Sequence, residues 1–443
     1  MEFTPLPGFR DFFPEEAVRR DYIFQKWRQT ALKYGFLPCD GPPLELTELY
    51  RRKSGDELLG QLYSFTDKGD RQVTLRPEAT PSLARMIAHR GQSLPKPIKW
   101  FSIPQLFRYE RQQRGRLREH YQFNCDIIGE SGIESDVELI ALLTDSLRAF
   151  GLTAADFRVR INDRSLVAEL AIALGLKEEE HHNALFAAAD KLLREPPEKI
   201  RGKLTEAGIQ PAVADQALEL FKLKNLREIA ARFNSHPAVC ERVMVLQHLF
   251  GMLEAIGLKD YVEFDFTVVR GLAYYTGVVF EAFDRRGTFR AISGGGRYDQ
   301  LFKRVGEVDL PALGFGMGDV VLGEILSERN LWPAKLLPSP DVFMVLIDKA
   351  LLIPSLFLAH QLREKGWSVD HALSATAVNR QFKMASQRGA RIAVVMGPEE
   401  WKRGAVKLKN LESREETELP AEKIVEFLAN ITDVIEQKSQ RHS

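Results

Sequence analysis

Residues 100–129 read WFSIPQLFRYERQQRGRLREHYQFNCDIIG, and the rest of the chain is best read outward from them. The end of the stretch alternates with period two, as a half-buried β-strand does. His120, Gln122, Asn124 and Asp126 fall on one face, and Tyr121, Phe123, Cys125 and Ile127 on the other. The first half predicts a second strand ending in Arg108 and Glu110, which then share a face. A basic loop with Arg111, Arg114, Arg116 and Arg118 joins the two. An acid, amide and arginine floor under such a hairpin suits a polyanion together with a small polar substrate. By itself the stretch is equally compatible with a solvated surface turn.

The chain has 443 residues, of which 44% are hydrophobic, so two or three domains with sizeable cores are expected. Lys+Arg and Asp+Glu both total 61, giving zero formal net charge. Bulk charge therefore does not point to a nucleic-acid partner, and local patches decide binding instead. Cys39, Cys125 and Cys240 are scattered along the chain. That pattern excludes a disulfide framework and a CxxC metal site, and it fits a reducing compartment. The opening MEFTPLPGFRDFFPEE lacks the apolar run of a signal peptide, and no stretch is long and apolar enough to span a bilayer. The expectation is a soluble, cytoplasmic protein with no membrane association and no tightly bound metal.

In chain order, Pro14-Glu15-Glu16 opens a helix that Gly35 stops, and Phe36 to Leu46 is extended. Tyr63–Phe65 and Gln72–Leu75 predict a hairpin around Lys68-Gly69. In LRPEATP (75–81), two prolines stiffen a loop presenting Glu78 and Thr80, a carboxylate and hydroxyl suited to an ammonium group. Thr80 serves equally as the cap of the helix that follows. Residues 170–255 read as a helical insertion without a chemical constellation. Further on come RGLAYYTG (270–277), a strand at Val278–Phe283, and AISGGGRYD (291–299), whose glycines permit close backbone approach to a ligand. PALGFGMGDVVLGEILSE (311–328) opens glycine-rich and closes as a helix. Strands and helices alternate over 338–430, predicting a small α/β domain with a parallel-type sheet, and 431–443 is a polar tail.

Together these stretches resemble the histidyl-tRNA synthetases, a family of class II aminoacyl-tRNA synthetases, over nearly the whole chain. The resemblance implies an α+β catalytic domain with an antiparallel sheet over 1–330, interrupted by the 170–255 insertion. It also implies an anticodon-binding α/β domain over 338–430. FRYER resembles the family's motif 2, which implies that Arg108 holds the ATP α-phosphate, with Glu110, Arg116 and Tyr121 as further ATP contacts. LRPEAT implies Glu78 and Thr80 on the α-amino group of L-histidine; Ala79 stands where glycine is usual. Gln122 and Asp126 resemble further histidine-binding positions. RGLAYYTG implies a catalytic Arg270 beside the reacting carboxylate, with Tyr274 and Tyr275 near the imidazole. SGGGRYD implies a pocket wall at Gly294 and Gly296.

The activity so implied is histidine–tRNA ligase, using ATP with Mg2+ as a substrate complex, acting on tRNA(His), and built as a homodimer. The alternative is a non-catalytic, synthetase-like regulatory subunit of histidine biosynthesis, a type that usually lacks the C-terminal domain. One departure stands out. Val320 and Val321 occupy the positions where the family's third motif has Glu and Arg, and Ala273 replaces an aspartate. The expectation is that Arg270, Arg297 or a loop arginine shares the ATP-clamping role.

Overall fold

The computed structural model describes residues 3–51, 59–111, 113, 115–192, 195–269, 275–306, 308–374 and 376–429. They fall into two compact units, divided between Ala334 and Lys335. In the first unit, the helix Pro14–Lys33 begins where proline and two acids favour a helix start. Gly35, at φ +73°, ends it in the left-handed conformation that glycine adopts without strain. Its buried Trp27 stacks on Phe123 with ring centroids 5.4 Å apart, which docks the helix on the core face of the sheet.

The strands of this unit are β1 (Leu37–Pro38), β2 (Leu44–Leu46), β3 (Tyr63–Thr66), β4 (Gln72–Leu75), β5 (Ile98–Ser102), β6 (Gln105–Phe107), β7 (Glu119–Ile128), β8 (Phe157–Asp163), β9 (Val262–Phe264), β10 (Val278–Asp284), β11 (Ser293–Arg297) and β12 (Ala312–Gly318). The large sheet runs β1-β5-β7-β12-β11-β10-β8-β9, with β6 paired separately to β7. Its centre is antiparallel, and only the edge pairs β1–β5 and β8–β9 are parallel. Strands β2, β4 and β3 form a small antiparallel sheet beside it. The hairpin differs from the expectation at one point. The first strand breaks at Pro104, which cannot donate to a ladder, and β6 ends at Phe107. Arg108 and Glu110 therefore lie just beyond the strand, although the Arg108 amide still donates to Arg118 O at 2.9 Å.

Register sorts the two faces of the sheet. One row crosses it as Phe101, Cys125, Phe315, Gly295, Phe280 and Ile161, all on the core face. The neighbouring row is Ser102, Asn124, Gly316, Gly294, Glu281, Arg160 and Glu263, which is polar and paved with glycine. Helices between Arg164 and Ala255 pack their apolar faces into the same continuous core as the sheet, through Leu166, Leu170, Leu246, Leu249 and Leu253.

The second unit contains β13 (Val342–Leu346), β14 (Val369–His371), β15 (Ile392–Met396), β16 (Ala405–Asn410) and β17 (Glu416–Pro420), in the order β14-β13-β15-β16-β17. The first three are parallel, but β16 and β17 add antiparallel, so the sheet is mixed rather than parallel-type. β17 escapes the sequence because it is an exposed edge strand burying only Leu419, which leaves no apolar run to read. Helices Leu352–Glu364 and Val378–Gln387 pack on this sheet. The tail at 431–443 lies outside the described residues. Among the described residues, no helix is long and apolar enough to cross a membrane, and no group of three or more His, Cys, Asp or Glu is placed to hold a metal ion.

Candidate active site

The polar face of the large sheet carries two connected cavities. The smaller, of about 60 Å3, is lined by Glu78, Thr80, Arg108, Gln122, Asn124 and Asp126, and by Tyr275, Gly294, Tyr298, Gly314, Phe315 and Gly316. The larger, of about 1050 Å3, includes Arg108, Glu110, Arg116, His120, Arg160, Glu281, Arg290, Val320 and Val321. Arg108, Gln122, Gly294 and Gly316 belong to both, so these residues form the passage between a small pocket and a long cleft.

The small pocket exists because glycine paves its floor. A Cβ on Gly316 would fall 2.7 Å from Gln122 Cδ, and one on Gly314 would fall 2.8 Å from Tyr298 Oη and closer still to the Asp126 carboxylate. Tyr298 donates its hydroxyl hydrogen bond to Asp126 Oδ1, fixing the acid at the pocket base. Tyr275 packs edge-on against Tyr298, with centroids 6.5 Å apart. Gly296 does not line the cavity. A Cβ there would meet Tyr275 Cδ1 at 3.0 Å, so the missing side chain lets Tyr275 lie against the strand.

Glu78 is buried, and the loop carrying it is held from both sides. Arg76 donates to Asp40 Oδ1 (2.6 Å), Gly41 O (2.7 Å) and Gln105 O (3.0 Å), while Arg108 Nε donates to Pro77 O (2.9 Å). That last bond ties the arginine of FRYER to the loop of LRPEAT. The helix Thr80–Arg90 takes Ala79 as its cap, without a side-chain bond. Of the two sequence-level roles for Thr80, the structure therefore supports the pocket-lining one.

In the cleft, Arg116 pairs with the buried carboxylate of Glu110. His120, the second residue of β7, faces the cleft beside this pair. Desolvation first, then the positive charges of Arg108, Arg10 and Arg116, push its imidazole down to about 3. An unfolded chain titrates histidine near ~6.5. Between those values the unfolded chain binds a proton that the folded one refuses, so stability falls as pH drops from about 6.5 toward 3. A His120→Asn variant is expected to flatten this acid-side slope, measured by denaturant unfolding at stepped pH. An unchanged slope would mean that His120 ionises freely in the fold.

Besides Gly296, two of the residues expected from sequence come out differently. Tyr121 points to the opposite face of β7, against Phe24 (centroids 4.9 Å) and Phe12 (6.2 Å), and does not line the cleft. The cause is strand alternation: a side chain between His120 and Gln122 faces the other way. Arg297 is absent from both cavities. Its guanidinium is held by Asp136 (2.8 Å), Gly132 O (2.6 Å) and Ser135 Oγ (3.0 Å), so it cannot stand in for the third-motif arginine. Val321 is buried beneath Gly115 of the hairpin loop. Arg270, Tyr274, Ala273 and Arg114 lie outside the described residues.

The structure also brings in residues that the sequence reading passed over: Asn124, Tyr298, Glu281, Arg160 and Arg290. Asn124 was visible on the polar face of β7. The alternation of VVFEAFD marks Glu281 as facing away from Phe280, but nothing local marks that face as the site.

The family model described as histidyl-tRNA synthetase matches residues 8–318, and the anticodon binding domain model matches residues 342–431. The chain is 44% identical over 425 residues to the histidine–tRNA ligase of Opitutus terrae, covering 95% of this chain and 97% of that protein. It is 39% identical to the chloroplastic/mitochondrial histidine–tRNA ligase of Arabidopsis thaliana, over 94% of this chain and 85% of that one. A crystal structure of histidyl-tRNA synthetase from a Nostoc species superposes with a TM-score of 0.80, covering 97% of this chain and 99% of that one. At 23% identity that likeness speaks for the fold. The catalytic sheet, the second unit and these matches define a class II aminoacyl-tRNA ligase. Within that class, the chain belongs to the histidyl-tRNA synthetase family.

Proposed function

We propose that this chain activates L-histidine with ATP and transfers it to the 3′ end of tRNA(His), dividing the task between the two cavities. The observation that carries the reading is the place of Arg108, on the passage between the small polar pocket and the arginine-lined cleft. Histidine occupies the pocket, with Glu78 and Thr80 at its ammonium group and Gln122, Asp126 and Tyr275 toward its imidazole. ATP lies in the cleft, with Arg108 on the α-phosphate, Glu110 and Arg116 beside the nucleotide, and Mg2+ entering as part of the ATP complex.

A histidine carboxylate oxygen attacks the α-phosphorus, and the bond to the pyrophosphate oxygen breaks. The terminal ribose hydroxyl of tRNA then attacks the carbonyl carbon, and AMP leaves. Negative charge develops on phosphate oxygens in the first step, so a guanidinium fixed in advance is the main catalytic device. A site that pairs with imidazole nitrogens rejects analogues that leave its polar groups unmatched. Arg270, beyond the described residues, is proposed to share the reacting carboxylate. Histidine-dependent ATP–pyrophosphate exchange by the pure protein tests the reading, and its absence would overturn it.

The regulatory-subunit alternative loses ground to the second unit and to ligase relatives that span both units. Deleting the chain from Lys335 onward is expected to leave pyrophosphate exchange within a few-fold while lowering tRNA charging by about 100-fold or more. Losing the equivalent of roughly 3 kcal/mol of tRNA contact accounts for such a drop. Equal loss of both activities would argue against a tRNA role for this unit.

Assembly as a homodimer is supported by exposed apolar side chains: Leu32 on the helix Pro14–Lys33, Leu37 in β1, and Leu44 and Leu46 in β2. Light scattering at the mass of a single chain would remove this proposal. Cytoplasmic residence agrees with three free cysteines.

A further inference from the structure

The helix Asp319–Glu328 brings no cation into the cleft, and the space above its start is taken. The Gly115 amide donates to Glu324 Oε1 at 3.2 Å, and a Cβ on Gly115 would lie 3.2 Å from Val321 Cγ2. The loop of the hairpin thus rests directly on the helix start. Among the other arginines of the cleft, Arg116 faces Glu110, and Arg160 faces Glu263 (3.1 Å) and Asp265 (3.6 Å). Arg290, in the turn between β10 and β11, differs from both. It is exposed, and its Nη2 donates at 3.1 Å to the side-chain oxygen of Gln113, a neutral amide on the hairpin loop. Among the described residues, no carboxylate lies within ion-pair distance of it. A guanidinium held in place by a neutral group, at the rim of a cleft able to take a polyphosphate, is a charge left for an anion to match.

We propose that Arg290, oriented by Gln113, binds the terminal phosphates of ATP, so that the β10–β11 turn supplies the cation that the helix start does not. This deepens the ATP reading of the cleft and rests on it. Both the turn and the hairpin loop then approach the nucleotide as one unit, because the Arg290–Gln113 bond joins them.

The test compares wild type with Arg290→Ala and Arg290→Lys by calorimetry, using MgATP and a non-hydrolysable histidyl-adenylate analogue. The analogue carries the α-phosphate position but no β- or γ-phosphate. Arg290→Ala is expected to weaken MgATP binding by about 10- to 100-fold, the range for hydrogen bonds to a charged group. Binding of the adenylate analogue should stay within twofold. The KM for ATP in pyrophosphate exchange should rise by a similar factor, with the KM for histidine unchanged and partial rescue in Arg290→Lys. Equal weakening of both ligands, as stacking on the base or general loop damage would cause, overturns the proposal. So does unchanged MgATP binding. The exposed position makes misfolding of the variants a small concern. Failure of the wild-type protein to bind MgATP would instead sink the reading of the cleft, and the proposal with it.

Discussion

An Arg108→Ala variant is expected to lose histidine-dependent pyrophosphate exchange by about 10²- to 10³-fold in kcat, the cost of removing one pre-placed donor at a developing charge. The argument rests on how the guanidinium is held. Its Nε is bonded to Pro77 O at 2.9 Å, and its backbone amide is bonded to Arg118 O at 2.9 Å, so it needs little reorganisation when the α-phosphate arrives. Arg108→Lys should recover only part of the rate, because a point charge does not reproduce the planar fork of donors. The bond to Pro77 also positions Glu78, so calorimetric histidine binding belongs beside the rate measurement. Retained histidine binding with collapsed exchange assigns Arg108 to the phosphate. Exchange within tenfold of wild type would remove it from the reaction centre.

Gly314→Ala is the second large effect, and it should fall on histidine rather than on ATP. The new methyl would meet Tyr298 Oη at 2.8 Å and crowd the Asp126 carboxylate. It would therefore disturb the tyrosine–aspartate hydrogen bond while filling a cavity of only about 60 Å3. Overpacking of this kind costs about 1–3 kcal/mol, which corresponds to a rise in the KM for histidine of ~5- to ~150-fold. The KM for ATP should change little, since Gly314 lines the pocket and not the cleft. An unaltered KM for histidine would show that the pocket floor does not hold the amino acid. The choice of Gly314 is deliberate. At Gly295, one register row away on the core face, a Cβ would collide with the β12 backbone itself, and the damage would be to the fold.

Several pieces of this site are legible in the chain without coordinates. The alternation of His120 to Ile127 assigns the two faces of β7 correctly, because period-two sterics act along a single strand. Gly294 and Gly316 announce a floor that a ligand can approach, and the prolines around Glu78 announce a stiff loop. The break at Pro104 is legible too, because proline has no amide to donate to a strand ladder.

Other pieces depend on which strands become neighbours. Arg297 sits in a motif that suggests a ligand, yet Asp136 from a distant helix captures it. Glu281, Arg160 and Arg290 reach the same cleft as Arg108 only because β10, β8 and the β10–β11 turn lie across the sheet from β7 in one particular register. In the same way, Gly115 meets Val321 only after the hairpin loop folds over the helix start. The sequence by itself determined the local periods, the turns and the side-chain chemistry on offer. The tertiary structure alone decided which charges are matched within the protein and which stay open to a ligand. The physical reason is that pairing between strands far apart in the chain is set by packing across both faces of the sheet, which no local pattern encodes.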